Sequence, residues 1–201
     1  MKRTFLASIL SLVAAPLFAA AVGQPAPDFA LPDLQDKTLK LADFRGKYVV
    51  LEWVNPDCPF VRKHYNSANV PNLQKDAAAK NVAWLSINST HPGHPEFKTP
   101  ADMKAWLAAK NGAPQTVLFD REGKTGHAYN AKTTPHMYVI DPAGKLIYAG
   151  GIDDKRSTSI EDLKIAKNFV RAALDEALAG KPVSVATSQP YGCSIKYSSS
   201  M

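Results

Sequence analysis

The chain has 201 residues, 45% of them hydrophobic, and a formal net charge of +6 at pH 7. The basic residues are scattered rather than gathered into a stripe, which argues against nucleic acid binding. Cys58 and Cys193 are the only cysteines in the sequence. Two cysteines are too few for a disulfide scaffold, so reactivity is the better explanation of at least one of them.

The first 21 residues have the pattern of a secretory signal peptide. Lys2 and Arg3 form a basic start, residues 5–18 are largely apolar, and three alanines at 19–21 fit a cleavage site. A membrane anchor is the alternative, but the apolar run is shorter than the ~20 residues that a spanning helix needs. We therefore expect cleavage before Val22, no anchor afterwards, and a mature protein that is periplasmic or secreted, where disulfides persist.

The mature chain begins with a stretch whose composition predicts little regular structure. Residues 22–35 are rich in proline and are expected to be irregular. A short strand is predicted over residues 37–41, followed by a single turn that Gly46 closes. The apolar run at residues 48–54 then predicts a buried strand.

Cys58 stands at the junction between this strand and a predicted helix. Residues 55–57, Asn-Pro-Asp, are a turn signal, and Pro59 suits the first position of a helix. A helix N-terminus favours an anion, and the thiolate is the reactive form of cysteine. Basic residues within the next two turns are expected to act in the same direction: Arg62, Lys63 and His64. The alternative is a buried, inert cysteine.

The next segment predicts a strand–helix–strand unit with parallel strands. The residues after the cysteine are mostly helical in pattern, with a break near Pro71, and residues 82–88 form the following apolar strand. Residues 89–99 then form a loop that contains His91 and His94. Because prolines and a glycine there prevent a regular helix, a solvated loop is favoured over a metal site.

The remaining elements are an alternation of helices and strands. In order they are a helix capped by Thr99 and ending near Lys110, a strand at 115–119, a short helix at 124–131, and an antiparallel hairpin of residues 136–140 and 145–150. A last helix is expected to begin at Ser159 and to carry an apolar face as far as Leu178. We expect the domain, residues 22–180, to be complete at Gly180.

A tail, residues 181–201, follows the domain and contains the second cysteine. Cys193 lies within the turn-forming sequence Pro-Tyr-Gly-Cys-Ser. A reactive thiol without a partner would over-oxidise or cross-link, so a second thiol on a flexible tail could reach Cys58 and protect it. A static Cys58–Cys193 disulfide and a free Cys193 thiol are the alternatives.

Three ordered motifs resemble those of the thioredoxin-fold redoxins, the thioredoxin and peroxiredoxin superfamily. They are the entry segment, given by residues 23–33 and 41–50, the strand ending in Glu52-Trp before Cys58-Pro-Phe-Val, and the Thr134-Pro135 segment with its following strand. The chain is most similar to the AhpC/TSA-type, peroxiredoxin-like branch. The resemblance implies an α/β, thioredoxin-like fold with a central mixed sheet, flanking helices and a C-terminal extension. It also implies that the Thr134–Pro135 bond is cis and lies against the cysteine.

The chain departs from both activity signatures of that superfamily. Thioredoxins have a second cysteine where this chain has Val61, and peroxiredoxins have proline and threonine where it has Leu51 and Asn55. The amide of Asn55 could donate a hydrogen bond to peroxide in place of the threonine. The subtype of activity is therefore left open between peroxide reduction and thiol–disulfide exchange.

The leading functional hypothesis is an exported thiol oxidoreductase. Cys58 attacks a peroxide or a disulfide, and Cys193 resolves the product, as the resolving cysteine does in two-cysteine peroxiredoxins. Thr134 and Pro135 support the site together with Asn55. An external thiol reductant must restore both cysteines, and no cofactor is implied.

Two other classes of protein remain open at this point. Related exported thioredoxin-fold proteins deliver copper, which suggests a metallochaperone in which both cysteines and a histidine bind cuprous copper. The candidate histidines are His64, His91, His94 and His136. The second class is a non-catalytic adaptor in which a Cys58–Cys193 disulfide is purely structural.

Overall fold

A computed structural model describes residues 19–198 of the chain. The strands are β1 (Ala30–Pro32), β2 (Thr38–Lys40), β3 (Val49–Trp53), β4 (Ala83–Asn88), β5 (Thr116–Phe119), β6 (Thr133–Thr134), β7 (His136–Ile140), β8 (Leu146–Gly150) and β9 (Cys193–Ser194). The α-helices are α1 (Pro59–Asn66), α2 (Asn69–Ala79), α3 (Pro100–Ala109), α4 (Lys124–Ala128) and α5 (Phe169–Leu178). Single 3-10 turns lie at Leu41–Phe44 and Glu161–Lys164.

A five-stranded mixed sheet forms the centre of the molecule, with the strand order β5-β4-β3-β7-β8. Strand β3 pairs in parallel with β4, and β4 pairs in parallel with β5. Strands β7 and β8 form the predicted antiparallel hairpin, and β7 joins the sheet antiparallel to β3. This arrangement confirms the predicted α/β architecture and the predicted parallel unit over β3, α1, α2 and β4.

The two faces of the sheet are covered by different parts of the chain. One hydrophobic cluster packs helices α1, α2, α3 and α5 against the sheet, and Cys58 belongs to it. The other cluster packs the segment around β1, β2 and the first 3-10 turn, together with Tyr129 and Ala131, against the opposite face. Strand β3 is buried along its whole length because it is the central strand of the sheet and both faces of the sheet are covered.

The segment between β3 and α1 folds as its sequence predicts. Cys58 is the N-cap residue of α1, with an extended backbone, and Pro59 occupies the first helical position. A proline there loses nothing, because the first N–H groups of a helix have no partner within the helix. The break near Pro71 is also confirmed, since α1 ends at Asn66 and α2 begins at Asn69.

Two predicted boundaries are wrong. Residues 22–35 were expected to be irregular, but Ala30–Pro32 pairs with β2 as a short strand. The last helix does not begin at Ser159: Asn168 caps α5, and its side chain accepts a hydrogen bond from the Arg171 N–H. The apolar spacing upstream was misleading because Ile160 and Ile165 are exposed, at 44% and 73%, rather than packed on the sheet.

The tail is packed on the domain as far as the structure describes it, so the fold is not complete at Gly180. Residues 186–188 pair with the outer edge of β8 at Ala149, and Tyr191 is buried in the same hydrophobic cluster as Cys58. Strand β9 then pairs antiparallel with β6. The tail therefore reaches the cysteine site as a docked strand rather than as a free end.

The predicted signal peptide lies mostly outside the described residues, which begin at Ala19. Of the residues around the predicted cleavage site, Ala20 donates a backbone hydrogen bond to the Ala128 carbonyl at 2.9 Å. Among residues 19–198, no helix has the length and apolar character needed to cross a membrane.

Candidate active site

Cys58 lies against the loop that contains the cis peptide bond. The Thr134–Pro135 bond is cis, as the resemblance implied. The Cys58 thiol donates to the Thr134 carbonyl oxygen, with Sγ and O separated by 2.9 Å. The cysteine is only 2% exposed. The helix N-terminus and the turn before β7, distant in sequence, are thus brought together at one sulfur atom.

Cys193 is brought to the same loop by strand pairing. Strand β9 lies antiparallel to β6, with Cys193 opposite Thr134 and Ser194 opposite Thr133. The pairing continues at Ile195, whose N–H donates to the Lys132 carbonyl at 3.1 Å. Both predicted cysteines therefore meet at Thr134, and both are free thiols in the structure.

The surroundings of Cys193 keep its thiol protonated. Burial, followed by the hydrogen bond and the charge interaction with Cys58, raises the pKa of Cys193 to about 12. A protonated thiol is a poor nucleophile, because the thiolate is the attacking form. Cys193 is therefore a poor attacking group while both cysteines are reduced.

The basic residues after Cys58 were predicted to favour its thiolate, but their side chains are engaged elsewhere. Arg62 donates to the Pro56 carbonyl and to Asp57, and the Lys63 ammonium donates to the Lys155 carbonyl. Burial, with a smaller effect of Lys63, lowers the pKa of His64 to about 3, so this imidazole is neutral at pH 7. These contacts hold neighbouring segments in place. The neutral His64 adds no positive charge beside Cys58, which corrects the prediction for that residue.

Asn55 lies beside the cysteine turn, but its amide is already bonded. The Asn55 Nδ2 donates to Glu96 Oε2 at 2.9 Å, and its Oδ1 accepts from the Asp57 N–H. The side chain is 4% exposed. The amide therefore fixes the turn and the loop that contains Glu96.

The histidines of the copper hypothesis are dispersed. His64 and His136 are buried in separate hydrogen-bond networks, while His91 and His94 accept backbone N–H groups of their own loop. Burial, with a smaller effect of Lys132, lowers the pKa of His136 to about 4. Within residues 19–198, no cluster of three or more cysteine, histidine or acidic side chains could hold a metal ion.

Comparison with known proteins decides the family. The model of the AhpC/TSA family matches residues 22–149. The chain belongs to the AhpC/TSA family. Its solved structural neighbours have the thioredoxin fold, which agrees with the mixed sheet and the cis-proline loop described above.

Curated relatives of this AhpC/TSA protein fall into two groups. The thioredoxin-dependent peroxide reductase of Drosophila melanogaster mitochondria is 30% identical over 170 residues, 77% of this chain and 64% of the relative. The chain thus spans less than two thirds of that relative's length. The thiol-disulfide oxidoreductase ResA of Geobacillus thermodenitrificans is 30% identical over 135 residues, 64% of this chain and 68% of the relative.

Among solved structures, an uncharacterised conserved protein from Geobacillus kaustophilus is similar to this AhpC/TSA protein, with a TM-score of 0.75 and 29% identity. The match covers 90% of this chain and 94% of the other. The fold is therefore shared over nearly the full length of both chains.

The residues that hold the tail of this AhpC/TSA protein in place were not predicted from the sequence. Tyr191 inserts into a buried cluster formed by Lys63, His64 and Asp153. The turn signal around Tyr191 was visible, but its partners are distant in sequence and no spacing rule pairs them.

The contact of the tail with the cis-proline loop depends on a glycine. Gly192 has a φ of 139°, and a Cβ atom placed there would lie 2.0 Å from the Thr134 carbonyl oxygen. Gly192→Ala should therefore force β9 away from β6 and open the site. We expect alkylation of Cys58 by iodoacetamide to accelerate about tenfold, since local opening of a packed segment governs access to a buried group.

Gly180→Ala is the matched control for this substitution. Gly180 also has a positive φ, of 70°, but no atom lies within 4 Å of a Cβ built there. It should introduce the milder strain of a left-handed residue without any clash, so its Cys58 should be alkylated at nearly the wild-type rate. Equal acceleration in both variants would contradict the assigned role of the Gly192 contact.

Proposed function

We propose that this protein is an exported thiol–disulfide oxidoreductase whose redox pair is Cys58 and Cys193. The observation that carries the proposal is the convergence of both thiols on Thr134, one by a side-chain hydrogen bond and the other by strand pairing. The similarity to ResA agrees with this activity. Asn55, Thr134 and Pro135 support the pair by fixing the turn and the loop on either side of it.

In the proposed reaction, Cys58 attacks one sulfur of a substrate disulfide and releases the other as a thiol. Cys193 then attacks the Cys58 sulfur of the mixed disulfide, which frees the second substrate thiol and leaves a Cys58–Cys193 disulfide. An external thiol reductant supplies two electrons and two protons to regenerate the pair. Because Cys193 stays protonated beside reduced Cys58, the first attack is assigned to Cys58.

Two side-chain donors beside the cysteine turn, those of Asn55 and Arg62, are already bonded, which favours a disulfide over a peroxide as the oxidant. Peroxide reduction needs hydrogen-bond donors that stabilise charge on the leaving oxygen. The Thr134 carbonyl is an acceptor, the Asn55 amide is bonded to Glu96, and the Arg62 guanidinium is bonded to Pro56 and Asp57. Peroxide reduction remains the second candidate because of the similarity to the Drosophila peroxide reductase.

Stopped-flow oxidation of the fully reduced protein tests the choice between the two oxidants. We expect oxidised glutathione to convert both thiols to a Cys58–Cys193 disulfide faster than equimolar hydrogen peroxide does. Quenching, alkylation and mass mapping identify the bond. Faster oxidation by peroxide would establish the second candidate, and inertness to both oxidants would exclude catalysis by this pair.

A further inference from the structure

Tyr191, two residues before Cys193, is the buried anchor of the tail. Its hydroxyl donates to Asp153 Oδ1 at 2.6 Å and lies 3.1 Å from His64 Nε2. Its ring packs edge-on against Phe60, with centroids 5.8 Å apart, and the Lys63 ammonium lies 5.7 Å from the ring centroid. The side chain thus makes polar and apolar contacts on α1, the helix that Cys58 caps.

The hydrogen bonds around Tyr191 run in one direction. The Asn69 side-chain amide lies 2.8 Å from His64 Nδ1 and donates to it, so the proton of the neutral imidazole is on Nε2. His64 then donates to the Tyr191 oxygen, and Tyr191 donates to Asp153. The chain fixes both the position and the orientation of the tyrosine hydroxyl.

The buried Asp153 side chain depends on Tyr191 for a hydrogen bond. The carboxylate is 2% exposed, and apart from Tyr191 it accepts one hydrogen bond, from the Lys155 N–H to Oδ1. Its other oxygen, Oδ2, has no hydrogen-bond partner among residues 19–198 and lies 3.9 Å from His64 Nε2. Loss of the tyrosine hydroxyl would leave a buried carboxylate and an imidazole N–H without their main partner, which strongly disfavours that state.

A second tyrosine holds the tail beyond Cys193, but on another part of the domain. The Tyr197 hydroxyl donates to the Ala131 carbonyl at 2.8 Å, and its ring stacks on His127 of α4 with centroids 4.2 Å apart. The two tyrosines bracket the cysteine. Of these two anchors, Tyr191 is the one that contacts the helix of the nucleophile.

We propose that Tyr191 is a positioning residue that holds Cys193 in reach of Cys58 through the Asn69–His64–Tyr191–Asp153 chain. The proposal rests on the proposed function, because it concerns the second step of that reaction. In this step the Cys193 sulfur bonds to the Cys58 sulfur, the bond from Cys58 to the substrate sulfur breaks, and the leaving thiolate takes up a proton as Cys193 loses one. The step is unimolecular, so its rate depends on how much of the time the tail is docked.

Tyr191→Phe tests the proposal because it removes the hydroxyl and keeps the ring. Reduced protein is mixed with oxidised glutathione, quenched with acid at intervals and analysed by mass spectrometry for the glutathione adduct on Cys58 and for the internal disulfide. We expect adduct formation at least as fast as in wild type, because a tail that docks less also exposes Cys58. Conversion to the internal disulfide should be slowed about tenfold or more, as expected for losing a hydrogen bond to a buried charge. The adduct should therefore accumulate.

Tyr48→Phe is the matched control, since the Tyr48 hydroxyl also donates to a partly buried acceptor, the Ala177 carbonyl, at 3.0 Å. It should leave both steps at wild-type rates. A Tyr191→Phe protein that converts the adduct as fast as wild type would overturn the positioning role while leaving the proposed function intact. A wild-type protein that forms no internal disulfide would overturn both, and a slower first step in Tyr191→Phe would mean a general structural defect and overturn the specific role.

Discussion

Cys58→Ser should abolish thiol–disulfide exchange, with a loss of about three orders of magnitude or more in rate. A serine hydroxyl cannot replace a thiolate in attack on sulfur, and removal of a nucleophile costs nearly all of the catalysed rate. Turnover can be followed with a small disulfide as oxidant and a dithiol as reductant. The variant should fold normally, because serine is close in size to cysteine and its hydroxyl can still donate to the Thr134 carbonyl.

Cys193→Ser is the informative companion to this variant. It should keep the first step within about twofold of wild type and then stop at a mixed disulfide on Cys58, since the second thiol is missing. If Cys193→Ser lost the first step while Cys58→Ser kept it, the two roles would be exchanged. If neither substitution changed the oxidation rate, the pair would have no catalytic role.

Glu52→Ala should lower the free energy of unfolding by about 4 kcal/mol, the size expected for a new cavity together with unpaired buried donors. Glu52 is 1% exposed in the middle of β3. Its carboxyl group accepts hydrogen bonds from four side chains: Tyr65, Gln74, Trp84 and Ser86. Alanine would leave these buried donors without an acceptor and would open a cavity among them. The midpoint temperature of thermal unfolding, Tm, should fall by about 10 °C for a chain of this size.

Glu52→Gln separates the hydrogen-bond contribution from the charge. Glutamine keeps one carbonyl oxygen for Trp84 and Ser86, so we expect less than half the loss that alanine causes. An equal loss in both variants would mean that the four donors find other partners. Urea unfolding of the three proteins at one pH gives the comparison.

The pH dependence of stability provides a further measurement on the same residue. Burial raises the pKa of Glu52 above 4.5, and its hydrogen bonds offset only part of that rise. The folded protein therefore keeps this proton to a higher pH than the unfolded chain does. The resulting stabilisation is complete below the ordinary pKa and is lost as pH rises through the folded pKa. The stability of wild type relative to Glu52→Gln should thus decline as the pH rises from the ordinary glutamate pKa through the raised pKa of the folded protein.

Local rules predicted the segments in which neighbouring residues decide the structure. The apolar run, turn and proline around Cys58 specified a buried strand followed by a helix, and both formed there. Thr99 and Asp102 form the reciprocal cap expected at the start of α3. The cis bond before Pro135 came from family resemblance rather than from the residues alone, because trans is the default for any proline.

The contacts that were not predicted join residues far apart in the chain. Lys63 and His64 were expected to influence Cys58, but their partners are Lys155 and Tyr191, some 90 and 127 residues away. Apolar spacing also placed Ile165 on a packed face, although it lies in an exposed segment before α5. Hydrophobic periodicity does not encode which surface a segment meets, so it could not distinguish these arrangements.

Two segments, one near each end of the described chain, also close an edge of the central sheet. Strand β8 has β7 on one side only, and an open strand edge is a template for pairing with another chain. The outward N–H and C=O of Ala149 bond to Ala186 and Ser188, while those of Leu146 bond to Gln24 and Gly23. Joining two copies of the protein through β8 would therefore require these segments to leave the edge first. The tail that brings Cys193 to Thr134 thus also keeps part of the β8 edge from pairing with another chain.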